Sequence, residues 1–140
     1  MCAMNEAKRI MVIDDDIDLL MLLERSLQKH GYLIETAASL QEAEEIIPAF
    51  IPDIVLLDIN VRGDDGRKLC WKLKNSPLLT NPKVILMSGY DLNTGRAFLF
   101  GADDLVVKPF QIEYLLHRMD LHMQVAGKEN IGLEGRNEAY

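Results

Sequence analysis

Residues able to do chemistry fall at a few well-spaced points in the chain. In "RIMVIDDDIDLL" four apolar residues, Ile10 to Ile13, are followed at once by Asp14, Asp15 and Asp16, and then by Asp18. Asp58 ends the apolar run "IVLL" at 54–57, Ser88 follows "VILM" at 84–87, and Lys108 follows "LVV" at 105–107. Carboxylates held close together repel, and a buried one without a partner is costly. If Asp14, Asp15 and Asp58 meet, a cation must join them. Oxygen-only donors suit Mg²⁺, which keeps waters and often also takes a phosphate. Lys108 adds a point positive charge and Ser88 a neutral donor. A dication, an ammonium and a hydroxyl around one carboxylate form a receptor for a phosphoryl group in transfer, a reaction governed by positioning and charge neutralisation. The carboxylate can itself be the nucleophile.

The elements that must bring these residues together can be read from periodicity. The four apolar runs do not alternate with polar residues, as expected of strands buried on both faces of a parallel sheet. A fifth candidate, "YLIETA" at 32–37, is more mixed and fits an edge. Helical spacing fills the gaps. "DIDLLMLLERSLQKHG" places Ile17, Leu20, Leu23 and Leu27 on one stripe, with Gly31 as a stop. "SLQEAEEIIPAF" opens with a capping box, Ser39 and Glu42, and Pro48 is expected to end or kink it. "DGRKLCWKLKNSP" aligns Leu69, Cys70 and Leu73; "DLNTGRAFLFGA" is a weaker helix with Gly95 inside it; "QIEYLLHRMDLHM" aligns Ile112, Leu115, Leu116 and Met119. The order is β-α five times over, an α/β doubly wound parallel sheet with right-handed crossovers. In such a sheet Asp14, Asp15, Asp58, Ser88 and Lys108 all lie at the carboxyl edge, where ligands bind.

Composition narrows the function classes. The net charge of −7 argues against a nucleic-acid binder, and "RKLCWKLK" at 67–74 reads as the solvated face of a helix. The longest apolar runs are too short to cross a membrane, and "MCAMNEAKR" lacks the apolar core of a secretory signal. With Cys2 and Cys70 as the only cysteines, no disulfide framework is expected and a reducing cytoplasm is the default. One domain is expected over 8–124, between a tail at 1–7 and a polar tail or linker start at 125–140.

The pieces "VIDDD", "PDIVLLDIN", "GDDG", "VILMSG" and "GADDLVVKPF", in this order, resemble the receiver domain of bacterial two-component response regulators. The resemblance implies a (βα)5 three-layer sandwich with strand order 2-1-3-4-5. It implies a signalling switch rather than an enzyme. Asp58 would accept a phosphoryl group from a histidine kinase or phosphotransfer protein and release it slowly. Asp14 and Asp15 would hold Mg²⁺ (or Mn²⁺) together with Asp58 and the backbone carbonyl of Asn60. Ser88 and Lys108 would bind the phosphoryl group, and Lys108–Pro109 would be a cis peptide. A downstream protein partner is implied, as is a homodimer through the face of the fourth helix, fifth strand and fifth helix. Three residues depart from the usual pattern. Leu105 stands where the family has Tyr or Phe, Arg62 where it has Pro, and Gly89 where Ala is common.

Other polar residues have plainer assignments. Asp16 and Asp18 serve the start of the first helix through capping and dipole compensation. Asp64 and Asp65 belong to a turn with Gly66, and Asp103 and Asp104 to the approach to the fifth strand. His30, His117 and His122 share no zinc-like spacing, and Cys70 falls on an apolar stripe. Trp71 falls beside that stripe, either flat on the surface or as an interaction anchor. Phe98, Leu99 and Phe100 cannot all be buried by one narrow helix face. Two other functions compete with the phosphoacceptor. Leu105 and Arg62 would suit a phosphorylation-independent interaction module. A phosphohydrolase using an aspartyl-phosphate is disfavoured by Asn60, which cannot act as the second acid.

Overall fold

The computed structural model describes residues 7–89 and 100–123. The chain runs β1 (Arg9–Ile13), α1 (Ile17–Lys29), β2 (Leu33–Ala37), α2 (Leu40–Phe50) and β3 (Ile54–Asp58). A two-residue pair, β4 (Asn60–Val61) and β5 (Asp64–Asp65), leads into α3 (Gly66–Lys74). Then come β6 (Lys83–Ser88), β7 (Asp104–Val107) and a C-terminal helix over residues 112–123. The helix expected from "DLNTGRAFLFGA", with Phe98 and Leu99, lies mostly outside the described residues, as does the tail after 123.

The main sheet has five parallel strands in the order β2-β1-β3-β6-β7, which is 2-1-3-4-5 counted along the sheet-forming strands. Its apolar runs are continuous because both faces are covered. Met11, Ile13, Val55, Leu57, Val84 and Leu86 face α2 and α3, where Ala43, Ile47, Leu69, Cys70 and Leu73 meet them. The alternate residues, Ile10, Val12, Ile54, Leu56, Ile85 and Met87, face α1 and the C-terminal helix, meeting Leu20, Leu23, Leu27, Leu115 and Met119. The period of two along each strand thus builds two separate cores from one sheet. Among the described residues no helix is long and apolar enough to cross a membrane.

Local signals set the element ends. Asp16 caps α1 by accepting from the Leu19 N–H at 3.2 Å, with Asp18 in the first turn. After α1, Gly31 takes a φ of 91°, the left-handed conformation glycine adopts without a Cβ penalty. Ser39 accepts from the Glu42 N–H at 3.1 Å, and Glu42 reaches back to the Ala38 N–H, one residue beyond the usual capping-box partner. Pro48 does not end α2, which runs on to Phe50. The proline sits in the last turn, and the Ile51 N–H still bonds the Ile47 carbonyl at 2.8 Å. Asp64 and Asp65 also depart from the expected turn. They form β5, antiparallel to β4, and Asp65 caps α3 by accepting from the Arg67 N–H at 3.0 Å. Trp71 is 55% exposed, on the outer side of α3.

Candidate functional site

Strand register alone brings the distant residues together. Asp58 is in register with Met87, so Ser88 lies one residue further out on the neighbouring strand. Ser88 is in register with Val107, so Lys108 follows just beyond. On the other side Ile13 pairs with Leu57, which sets Asp14 and Asp15 past the strand end next to Asp58. Backbone hydrogen bonds continue past the strand ends. The Lys108 N–H donates to Ser88, the Ile59 N–H to Met87 and the Asp14 N–H to Ala37, at 2.7, 2.9 and 3.1 Å. The segments that hold the candidate residues are therefore extensions of the sheet. Alternation also sorts the side chains. Asp58 continues the face of Ile54 and Leu56, whereas Ser88 continues the face of Val84 and Leu86.

Asp14, Asp15 and Asp58 each offer a carboxylate oxygen, and all three oxygens lie within 4.8 Å of one another. Asp14 and Asp58 are buried and Asp15 is exposed. The Lys108 ammonium lies 2.6 Å from Asp14 Oδ2 and 3.5 Å from Asp58 Oδ2. Asp14 Oδ2 is thus held by the Lys108 ammonium, while Asp14 Oδ1 accepts from the Asp16 N–H at 2.9 Å. Asp16 thus joins the acid pair through its backbone and caps α1 through its side chain. Burial, with the neighbouring Asp14 charge, pushes the Asp58 carboxyl up to about 6, although Lys108 and the Asn60 N–H pull the other way. Burial alone would favour a neutral Lys108, but Asp14 and Asp58 outweigh it and raise its pKa.

The flanking loop is held tightly. The Asn60 N–H faces Asp58 Oδ1 at 3.4 Å, and the Asn60 side chain accepts from the Gly63 N–H at 3.0 Å. The Arg62 N–H donates to Asp15 Oδ2 at 2.8 Å, and its Nε donates to the Ala38 carbonyl at 2.9 Å. Gly66 opens α3 directly against β3: its N–H donates to the Ile59 carbonyl at 2.6 Å, and a Cβ there would overlap the Asp58 carbonyl oxygen. Lys108–Pro109 is cis. Leu105 is half-buried and packs on the α2–α3 core, as does Phe100, whose ring lies 5.2 Å below the Arg67 guanidinium.

A divalent cation fits this donor set. Three carboxylates and one ammonium leave a formal excess of two negative charges among oxygens only. Cys70 is of a different kind. It is fully buried, and burial pushes its thiol up to about 11, so it stays an inert core thiol.

One constellation was not apparent from the sequence. Asp104, 7% exposed, accepts from Arg118 Nε at 2.7 Å and lies 2.9 Å from His122 Nε2. Burial pushes its carboxyl up, but the bonds from His122 and Arg118 outweigh this and hold it below the usual range. Spacing of four between Arg118 and His122 puts both on one face of the C-terminal helix, the only signal available beforehand. Asp103 similarly accepts from Lys74 Nζ and from the Val84 N–H, both at 2.8 Å.

Residues 10–120 match the response regulator receiver domain family. A CheY-like response regulator receiver domain protein from Methanospirillum hungatei is 30% identical, with a TM-score of 0.77 over 89% of this chain and 99% of that one. The BeF3-activated N-terminal receiver domain of Klebsiella pneumoniae RstA is 30% identical, with a TM-score of 0.75 over 84% of this chain and 99% of that one. The Thermotoga maritima response regulator TrrA, solved in complex with Mg²⁺-BeF, is 31% identical, with a TM-score of 0.71 over 81% of this chain and 96% of that one. With five signature segments along the chain, the sheet order and this match over most of its length, the chain belongs to the response regulator receiver domain family.

Proposed function

We propose that this receiver, spanning 8–124, takes a phosphoryl group on Asp58 from the phosphohistidine of a histidine kinase or phosphotransfer protein, and that the change in charge alters its protein contacts. The observation that carries the reading is the meeting of Asp14, Asp15 and Asp58 within 4.8 Å, with Lys108 between Asp14 and Asp58. At pH 7 Asp58 is above its raised pKa of about 6, so the nucleophilic carboxylate predominates. An Asp58 oxygen bonds to phosphorus as the N–P bond breaks, and the bond electrons leave with the imidazole of the donor. Lys108, on the Asp58 side chain already, pairs with a phosphoryl oxygen, and Ser88 offers its hydroxyl from the adjacent strand end. Asp14, Asp15, Asp58 and the Asn60 carbonyl would hold Mg²⁺, which when bound neutralises charge developing on the phosphoryl oxygens. Mn²⁺ has the same preference for oxygen donors.

Incubation with acetyl phosphate and Mg²⁺ should add one phosphoryl group to the wild-type protein and none to Asp58→Asn, as read by intact mass. Equal labelling of the two would overturn the reading. Leu105 gives a second reading its footing: the half-buried aliphatic side chain on the α2–α3 core stands where an aromatic switch residue is expected. An interaction module independent of phosphorylation would bind its partner equally with and without a phosphoryl mimic.

A further inference from the structure

Arg62 is the first of the two turn residues of the β4–β5 hairpin, where it shares a left-handed backbone with Gly63, whose φ is 87°. Its backbone sits in the left-handed region, with a φ of 54°, which bulky L-residues rarely adopt. In that conformation its N–H donates to Asp15 Oδ2 at 2.8 Å. The side chain turns the other way, and Nε donates to the Ala38 carbonyl at 2.9 Å. Ala38 is in turn fixed by its own N–H on Glu42 Oε1 at 2.9 Å. A chain of bonds therefore runs from the cap of α2, through Arg62, to an exposed carboxylate of the acid cluster. Asp15 needs such a hold. It lies past the end of β1 and lacks the burial that fixes Asp14 and Asp58. A proline at this position could not provide the hold, because it has no N–H and its φ is locked near −65°.

We propose that Arg62 is a positioning residue for the cation site. Its N–H fixes one oxygen of Asp15, and with it the orientation of the carboxylate, and its guanidinium ties the hairpin turn to the Ala38 carbonyl. The inference rests on the receiver reading of Asp14, Asp15 and Asp58 as cation ligands. Outer partners of metal ligands commonly set affinity by roughly 10–100-fold.

The test is Mg²⁺ affinity by calorimetric titration, with no phosphodonor present. Arg62→Pro, checked for folding by circular dichroism, should bind Mg²⁺ at least about tenfold more weakly than wild type. Arg62→Lys, which keeps the N–H and a donor at the end of a long stem, should stay within about threefold. A folded Arg62→Pro with wild-type affinity overturns the inference and leaves the receiver reading standing. A wild-type protein that takes up no Mg²⁺ at millimolar concentration overturns the cation-site reading and this inference with it. A second measurement does not depend on the proline variant folding. In Mg²⁺-free buffer, amide exchange at Arg62 should be about tenfold faster or more in Asp15→Ala than in wild type, since the acceptor is gone. Equal exchange overturns the proposal.

Discussion

Asp58 carries a conflict between where it sits and the charge that a phosphoacceptor would need. Burial and the Asp14 charge raise its pKa to about 6, well above the value near 4 of an unfolded carboxyl. Between those two values the folded protein holds the proton more tightly than the unfolded chain, so this group makes stability fall as pH rises. Below about pH 4 both states are protonated and the penalty is absent; above about pH 6 it is complete. In Mg²⁺-free buffer, Asp58→Asn should therefore be more stable than wild type at pH 7, on the order of 1 kcal/mol, and equally stable near pH 4. Urea unfolding at the two pH values checks this; an advantage of the variant that is equal at both would remove burial of charge as its cause. The same physics explains why this residue was legible in the sequence. An acid ending an all-apolar run has to be either mispaired or functional, whereas Asp104, which follows Asp103 before a short run, gave no such contrast. Its partners Arg118 and His122 reach it only through helix packing.

At the scale of elements, the approach of α3 to β3 decides where Asp58 stands. The first residue of α3 lies against the backbone carbonyl of the phosphoacceptor candidate, and only a hydrogen atom fits there. Gly66→Ala should cost roughly 1–3 kcal/mol by overpacking and should also slow phosphorylation from a small donor, because the end of β3 must shift. Thermal unfolding and initial labelling rate together check it; an unchanged rate in a folded variant would mean that the contact does not position Asp58. The long apolar runs and capping residues made the main strands and helices readable. The β4–β5 pair was not, because two-residue strands have no period to detect, and Asp64-Asp65-Gly66 reads equally well as a turn. Pro48 does not stop α2 where it stands, for a reason of its own. Its restriction acts on the preceding turn, and this close to the end of α2 the last turn still closes through Ile51.

Over the whole molecule, the sheet separates two cores, and the second depends on the C-terminal helix for part of its cover. Asp104 ties that helix to β7 at the sheet edge through Arg118 and His122. A carboxyl held below its usual range contributes stability that is present above its unfolded pKa and lost as pH falls through the folded value. Arg118→Ala should therefore destabilise the protein by roughly 2 kcal/mol at neutral pH, and the deficit should shrink in acid as Asp104 is protonated. Denaturant titrations at neutral and acid pH read both effects; a deficit independent of pH would point to lost packing instead.

Asp16 gives the architecture a mechanical character. Its N–H grips Asp14 and its carboxylate grips the first turn of α1, so helix and charged centre share a joint one residue long. With 13 residues, α1 is a rod of roughly 20 Å. Ile17, Met21 and Leu22 leave apolar surface open along it. Leu20, Leu23 and Leu27 seat the opposite side of this rod in the core, so through Asp16 the acid cluster is tied to an element that cannot shift without repacking the core.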